Sequence, residues 1–132
     1  MSQANDFALS ADCELRVLLV DDHDDMLDMM HLFMTRHSYS VATANSGHKA
    51  LEVVESFAPH IVVSDIGMPE MNGYEMMSRL RAMTQLSPFK AIALTGYDAD
   101  DNQELSAAGF DAHLTKPIDF DLLFSMIARL TS

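Results

Sequence analysis

Residues that staple, anchor or export a chain are scarce in this sequence. Its one cysteine, Cys13, excludes an internal disulfide, and no cysteine or histidine stands at ligand spacing around it, which fits a reducing compartment. No apolar run approaches the length of a membrane span. The opening MSQANDFALSADC lacks a basic region followed by an apolar stretch, so it has no signal-peptide character. The expected address is the cytoplasm, with no membrane partner. Positive charge is short as well: 8 Lys and Arg face 20 Asp and Glu, a formal net charge of −12. A surface of that sign repels phosphate backbones and anionic lipid, so direct nucleic-acid binding is not expected, while divalent cations are drawn in. Most of these charges serve solubility alone.

Repeats, low-complexity tracts and internal linkers are also missing. What is present is 132 residues, 48% apolar and 21% charged, enough for one domain with its own core and too few for two. The expected boundaries are a fraying tail over residues 1–13 and a domain over residues 14–132. Five short β-branched or aliphatic runs read as strands: RVLLV at 16–20, SVATA at 40–44, IVVSD at 61–65, AIALT at 91–95 and AHLT at 112–115.

Segments of helical spacing lie between them. Leu27, Met30, Phe33, Met34 and His37 share one face of the first, and Ala50, Leu51 and Val54 share one of the second, with Ser46 as its N-cap. The third helix is expected over about residues 72–84, carrying Met76, Leu80 and Met83. The fourth covers about 98–108 and stops at Gly109, and the last starts at Asp119 and carries Leu122, Leu123, Met126, Ile127 and Leu130. Strand and helix thus alternate five times. With nearly continuous apolar runs in the strands, this predicts an α/β protein whose parallel sheet is covered by helices on both faces.

In such sheets ligand groups gather outside the carboxyl ends of the strands, near the switch in strand order. The polar residues ending strands are Asp21 and Asp22, Asp65, Thr95 and Lys116. Asp21, Asp22, Asp24 and Asp25 put four carboxylates into five positions. Like charges a few ångströms apart repel by about 4 kcal/mol per pair at an effective dielectric of about 20, so a cation is expected there. Magnesium takes one or two carboxylates with waters and phosphate oxygens, a corner that Asp21 and Asp22 can supply. Asp65 has the chemistry to attack phosphorus and form an acyl phosphate. Lys116 and Thr95 have the chemistry to neutralise or hydrogen-bond the transferred group.

At this point the motifs match a known family. VVSDIGMPEMNGYEM, with its Asp, Met-Pro, Met and Gly, together with VDD, ALTGY and LTKP in order and spacing, resembles bacterial response-regulator receiver domains over about residues 15–130. The resemblance implies a flavodoxin-like, doubly wound five-stranded parallel sheet of order 2-1-3-4-5. It implies Asp65 as phosphoacceptor, fed by a histidine kinase or a histidine phosphotransfer domain. Mg2+ is implied on the Asp22 and Asp65 side chains and the Gly67 carbonyl, with Asp21 acting mainly through water. It further implies Thr95 as switch hydroxyl, Lys116 as phosphate partner and a cis Lys116–Pro117 bond. Three positions depart from the family's pattern. His113 stands where an aromatic toggle is usual, bringing a side chain that titrates near neutrality. Gly67 and Tyr97 occupy the positions that tune water access. GFDAHLTKPID looks most like the receivers of hybrid sensor kinases. The sequence stops after the last helix, so a downstream protein partner is expected to supply output to a monomer or weak dimer.

Taken singly, each residue has a plainer role: Asp65 a turn residue, Lys116 a solvated lysine, Thr95 a strand-end hydroxyl. Asp24 and Asp25 are expected to cap the first helix and complement its dipole rather than bind metal. His23 is expected at the rim of the acidic cluster. Met71 and Met77 are candidates for exposure, whereas the other methionines at helical spacing pack as core. Two rival functions remain. DHD at 22–24 mimics the Asp-x-Asp of haloacid-dehalogenase-like phosphatases, with Asp22 as nucleophile. That reading is opposed by the Asp100-Asp101 pair preceding Lys116 and by the lack of room for a cap domain. The second rival is a receiver-like interaction module that is never phosphorylated.

Overall fold

In the computed structural model, residues 14–96 and 102–132 are described. The predicted tail, Cys13, Tyr97, the Asp100-Asp101 pair and the first turn expected of the fourth helix lie outside them. The elements are β1 (Arg16–Val20), α1 (Asp24–Arg36), β2 (Ser40–Ala44), α2 (Gly47–Phe57), β3 (Ile61–Asp65), α3 (Gly73–Ala82), β4 (Lys90–Thr95), α4 (Asn102–Ala108), β5 (Ala112–Thr115) and α5 (Phe120–Thr131). All strand pairs are parallel, in the order β2-β1-β3-β4-β5. No described helix is long and apolar enough to cross a membrane.

The central strands carry apolar residues on both faces because both faces are covered. Leu18, Val20, Val62, Ala91 and Ala93 point to one side and meet Ala50, Val54, Met76, Met77, Leu80 and Leu105 from α2, α3 and α4. Val17, Leu19, Ile61, Val63, Ile92 and Leu94 point to the other and meet Leu27, Met30, Met34, Leu123, Met126 and Ile127 from α1 and α5. Each fully buried aliphatic side chain contributes about 1.5–3 kcal/mol of transfer free energy, so these two layers dominate stability.

Helix starts follow the capping residues. Ser46 accepts a hydrogen bond from the Lys49 amide, Asn72 from Glu75 and Asp119 from Leu122. α1 corrects the expectation: its N-cap is His23, which makes no side-chain capping bond, and Asp24 and Asp25 sit inside the first turn. There they complement the helix dipole without capping. Gly109, at φ 113°, ends α4 as expected.

Three apolar side chains lie elsewhere than their spacing suggests. Met71 and Met77 are buried at 2% and 0% exposure, Met71 packing against Gly47, where an added Cβ would stand 2.8 Å from its sulfur. Phe33 falls outside the core layer and stacks on Phe120 of α5 at 4.5 Å, while His37 stacks on Phe124 at 3.7 Å. The α1 and α5 aromatics form a seam along the edge of that layer.

Arg81, in the last turn of α3, ties three segments together. Its Nε and Nη2 donate to the Gly109 carbonyl at 3.0 and 2.8 Å and its Nη1 to the Phe89 carbonyl at 2.9 Å. Nη2 also reaches Asp111 at 3.1 Å, and the guanidinium lies 4.1 Å above the Phe89 ring.

Candidate functional site: an acidic pocket at the carboxyl edge of the sheet

The strand order reverses direction between β1 and β3, and the carboxyl ends of β1, β3, β4 and β5 deliver their terminal residues to one edge. Asp65 ends β3 at 5% exposure. Its Oδ1 accepts the Ile66 amide at 2.9 Å and the Lys116 ammonium at 3.0 Å, the latter reaching across from the end of β5. Burial pushes this carboxyl above its ordinary range; Lys116 and the Ile66 amide oppose the shift, and the neighbouring Asp21 charge adds to it.

Asp21 is 1% exposed. Its Oδ1 accepts the His23 amide at 2.9 Å and lies 3.1 Å from His23 Nδ1. That contact, followed by the Asp22 and Asp21 charges, holds the His23 imidazole pKa above its usual value. Asp21 Oδ2 and Asp22 Oδ1 are buried without a hydrogen-bond partner, although His23 Nδ1 stands 3.4 Å from the latter. A buried carboxylate oxygen left unpaired is costly, and a cation removes that cost. One donor atom each from Asp21, Asp22, His23 and Asp65 lies within 4.8 Å of the others. The cluster is therefore able to hold a metal ion.

Thr95 is buried at the end of β4, where its hydroxyl donates to the Leu114 carbonyl over a long 3.3 Å and its own carbonyl accepts the Lys116 amide at 2.8 Å. Lys116–Pro117 is cis. Gly67 is exposed in the β3–α3 connection. The connection is held tight by Gly73, whose amide donates to the Ile66 carbonyl at 2.8 Å. A Cβ at Gly73 would stand 2.5 Å from the Asp65 carbonyl oxygen, so only glycine permits this approach. His113 lies apart from the acidic cluster, exposed on β5 beside a recess lined by Leu105, Ser106 and Phe110.

The structure thus brings Asp21, Asp22, Asp65 and Lys116 together, with Thr95 one strand away. Sequence reasoning placed His23 at the rim of the cluster, where its side chain is 68% exposed; what that reading lacked is its contact with Asp21. The signal was its position two residues after Asp21 in a strand-to-helix turn, where an aspartate commonly accepts the amide at i+2. A cleft of about 680 Å³ opens beside the cluster, lined by Asp21, His23, Asp24, Asp25, Met26, Met29 and Lys116.

Comparison with known proteins agrees with this geometry. The family model described as the response regulator receiver domain matches residues 17–128. A 14.6 kDa protein of Leptolyngbya boryana, encoded in the sodA1 3′ region, is 36% identical over 107 residues, covering 80% of this chain and 82% of that one. The sensor histidine kinase RcsC of Salmonella typhimurium is 31% identical over 115 residues, covering 87% of this chain but 12% of the kinase. The chemotaxis response regulator CheY4 of Vibrio cholerae superposes with a TM-score of 0.81 at 27% identity, covering 89% of this chain and 98% of CheY4. With its strand order, its acidic pocket and these relatives taken together, the chain belongs to the response regulator receiver domain family of two-component signal transduction.

Proposed function

We propose that this receiver accepts a phosphoryl group on Asp65 from a phosphohistidine, presented by a histidine kinase or a histidine phosphotransfer domain. An Asp65 oxygen attacks phosphorus, the P–N bond breaks, and its electron pair passes to the imidazole nitrogen of the donor. The observation that carries this reading is the state of Asp65: buried, oriented through Oδ1 by an amide and an ammonium, and beside two unpartnered carboxylate oxygens. The side chains of Asp22 and Asp65 with the Gly67 carbonyl would hold Mg2+, Asp21 acting through water, and the ion would offset charge on the phosphoryl oxygens. Lys116 is placed to exchange its Asp65 contact for a phosphoryl oxygen. Thr95 gives up only a 3.3 Å hydrogen bond in turning to the same group.

That turn biases a two-state equilibrium over α4, β5 and α5, whose exposed face meets a downstream partner. His113 takes the toggle position, and its side-chain resonances are expected to shift on titration with a phosphoryl analogue and magnesium. The only chemistry assigned to the chain is its own phosphorylation and dephosphorylation, in the cytoplasm where a kinase draws on ATP.

Intact mass after incubation with acetyl phosphate and Mg2+ tests the assignment. One phosphoryl group is expected on the wild type and none on Asp65→Asn. No gain would leave an interaction module that is never phosphorylated. Multiple turnover through Asp22 would restore the phosphatase reading, which the receiver family match opposes.

A further inference from the structure

The acidic pocket contains a donor that the proposed magnesium chemistry leaves unused. His23 Nδ1 lies 3.1 Å from Asp21 Oδ1 and 3.4 Å from Asp22 Oδ1. Neighbouring ligands of an octahedral ion with bonds of about 2.1 Å stand about 3.0 Å apart, and those of a tetrahedral zinc site about 3.3 Å. Without a metal the 3.1 Å contact is a hydrogen bond, and the same separations also suit two ligands sharing one ion that takes the proton's place. Asp21 is 1% exposed and its Oδ2 has no partner, so at least one buried carboxylate oxygen waits for a cation at the same place. The His23 side chain is 68% exposed, so it is free to adjust its ring without disturbing the core.

Magnesium prefers oxygen and keeps its waters, whereas imidazole suits zinc, nickel and copper. An all-oxygen pocket separates these ions by size and charge; one nitrogen adds a preference of its own. Resting on the cation site proposed above, we propose that His23 Nδ1 joins the pocket carboxylates as a protein donor to divalent transition ions of the zinc and nickel kind. This receiver would then hold such ions in preference to Mg2+ to a degree set by one side chain.

The test is a competition titration of the purified chain with Zn2+ and Mg2+, in the wild type and in His23→Ala and His23→Gln. The ratio of Zn2+ to Mg2+ affinity is expected to fall by at least about tenfold in both variants, the scale on which removing a group from a metal's surroundings acts. In the wild type, the His23 Nδ1 nitrogen resonance is expected to shift with one equivalent of Zn2+ and to stay in place with Mg2+. An unchanged ratio, an equal loss for both ions, or a zinc shift confined to other histidines would overturn the proposal. Mg2+ binding and acetyl-phosphate labelling of the wild type are read in parallel. If both fail, the functional reading falls with the site; if both succeed while the ratio stays fixed, only the histidine assignment falls.

Discussion

Asp65 works against the fold when no cation is present. Burial raises its pKa beyond what Lys116 recovers, so folding disfavours its ionised form relative to the unfolded chain, and the Asp21 charge adds to this. Asp65→Asn keeps the shape and removes the charge. It is expected to raise the melting temperature of the metal-free protein by about 4 °C, roughly 1 kcal/mol for a domain of this size. A lower melting temperature by calorimetry would mean that the Lys116 ion pair outweighs burial. His60 acts in the opposite sense to an ion pair. Its Nδ1 accepts the Arg16 amide at 2.9 Å, a role open only to an unprotonated nitrogen. Burial, then the Arg16 charge, lowers its pKa from the ordinary 6.5. The unfolded chain therefore binds the proton more readily, so stability is complete above that ordinary value and is lost as pH falls through it towards the folded one. Denaturation measured over about pH 5–7 should show a shallower pH slope in His60→Asn than in the wild type. The aspartates and Lys116 were legible as site residues because each closes a strand in a parallel sheet. His23 was legible as a rim residue but its contact with Asp21 was not, because that depends on how the turn after β1 brings its ring to the carboxylate.

At the scale of the element, Gly73 shows how a helix start positions a side chain in the neighbouring strand. The start of α3 is drawn against the end of β3 with no room for a methyl group, and the two nearest obstacles are backbone atoms of Asp65 and Ile66 rather than a flexible side-chain tip. Gly73→Ala is expected to cost about 1–3 kcal/mol and to weaken acetyl-phosphate labelling by displacing Asp65, checked by urea denaturation and intact mass. Strand positions were readable because β-branched runs of four to six residues are covered on both faces. Helix faces were read less well. Periodicity groups Phe33 and His37 with Leu27 and Met30, but the aromatics of α5 come up beside α1 and turn that side of the stripe into a stacked seam. Met71 was unreadable for another reason. Its burial depends on the absence of a side chain at Gly47, a residue 24 positions earlier at the start of α2.

For the molecule as a whole, the pocket links stability to metal. Its unpartnered oxygens are hydrated in the unfolded chain and left bare in the metal-free fold, so an ion bound by the folded form alone offsets that loss. Mg2+ at about a hundred times its dissociation constant at the proposed site should therefore stabilise the fold by about 2.7 kcal/mol. Thermal unfolding across a magnesium series measures this, and Asp22→Ala should flatten the dependence. A transition indifferent to magnesium would argue against the proposed site. Motion across the molecule is constrained by Arg81, whose guanidinium clamps the carbonyl of Gly109 directly behind α4 and the entrance of β4. A helix riveted at its exit has a fulcrum there. A push delivered from the Thr95 end would pivot α4 like a door on its hinge instead of sliding it along the sheet, so that the stroke is smallest beside Arg81 and grows towards the opposite end.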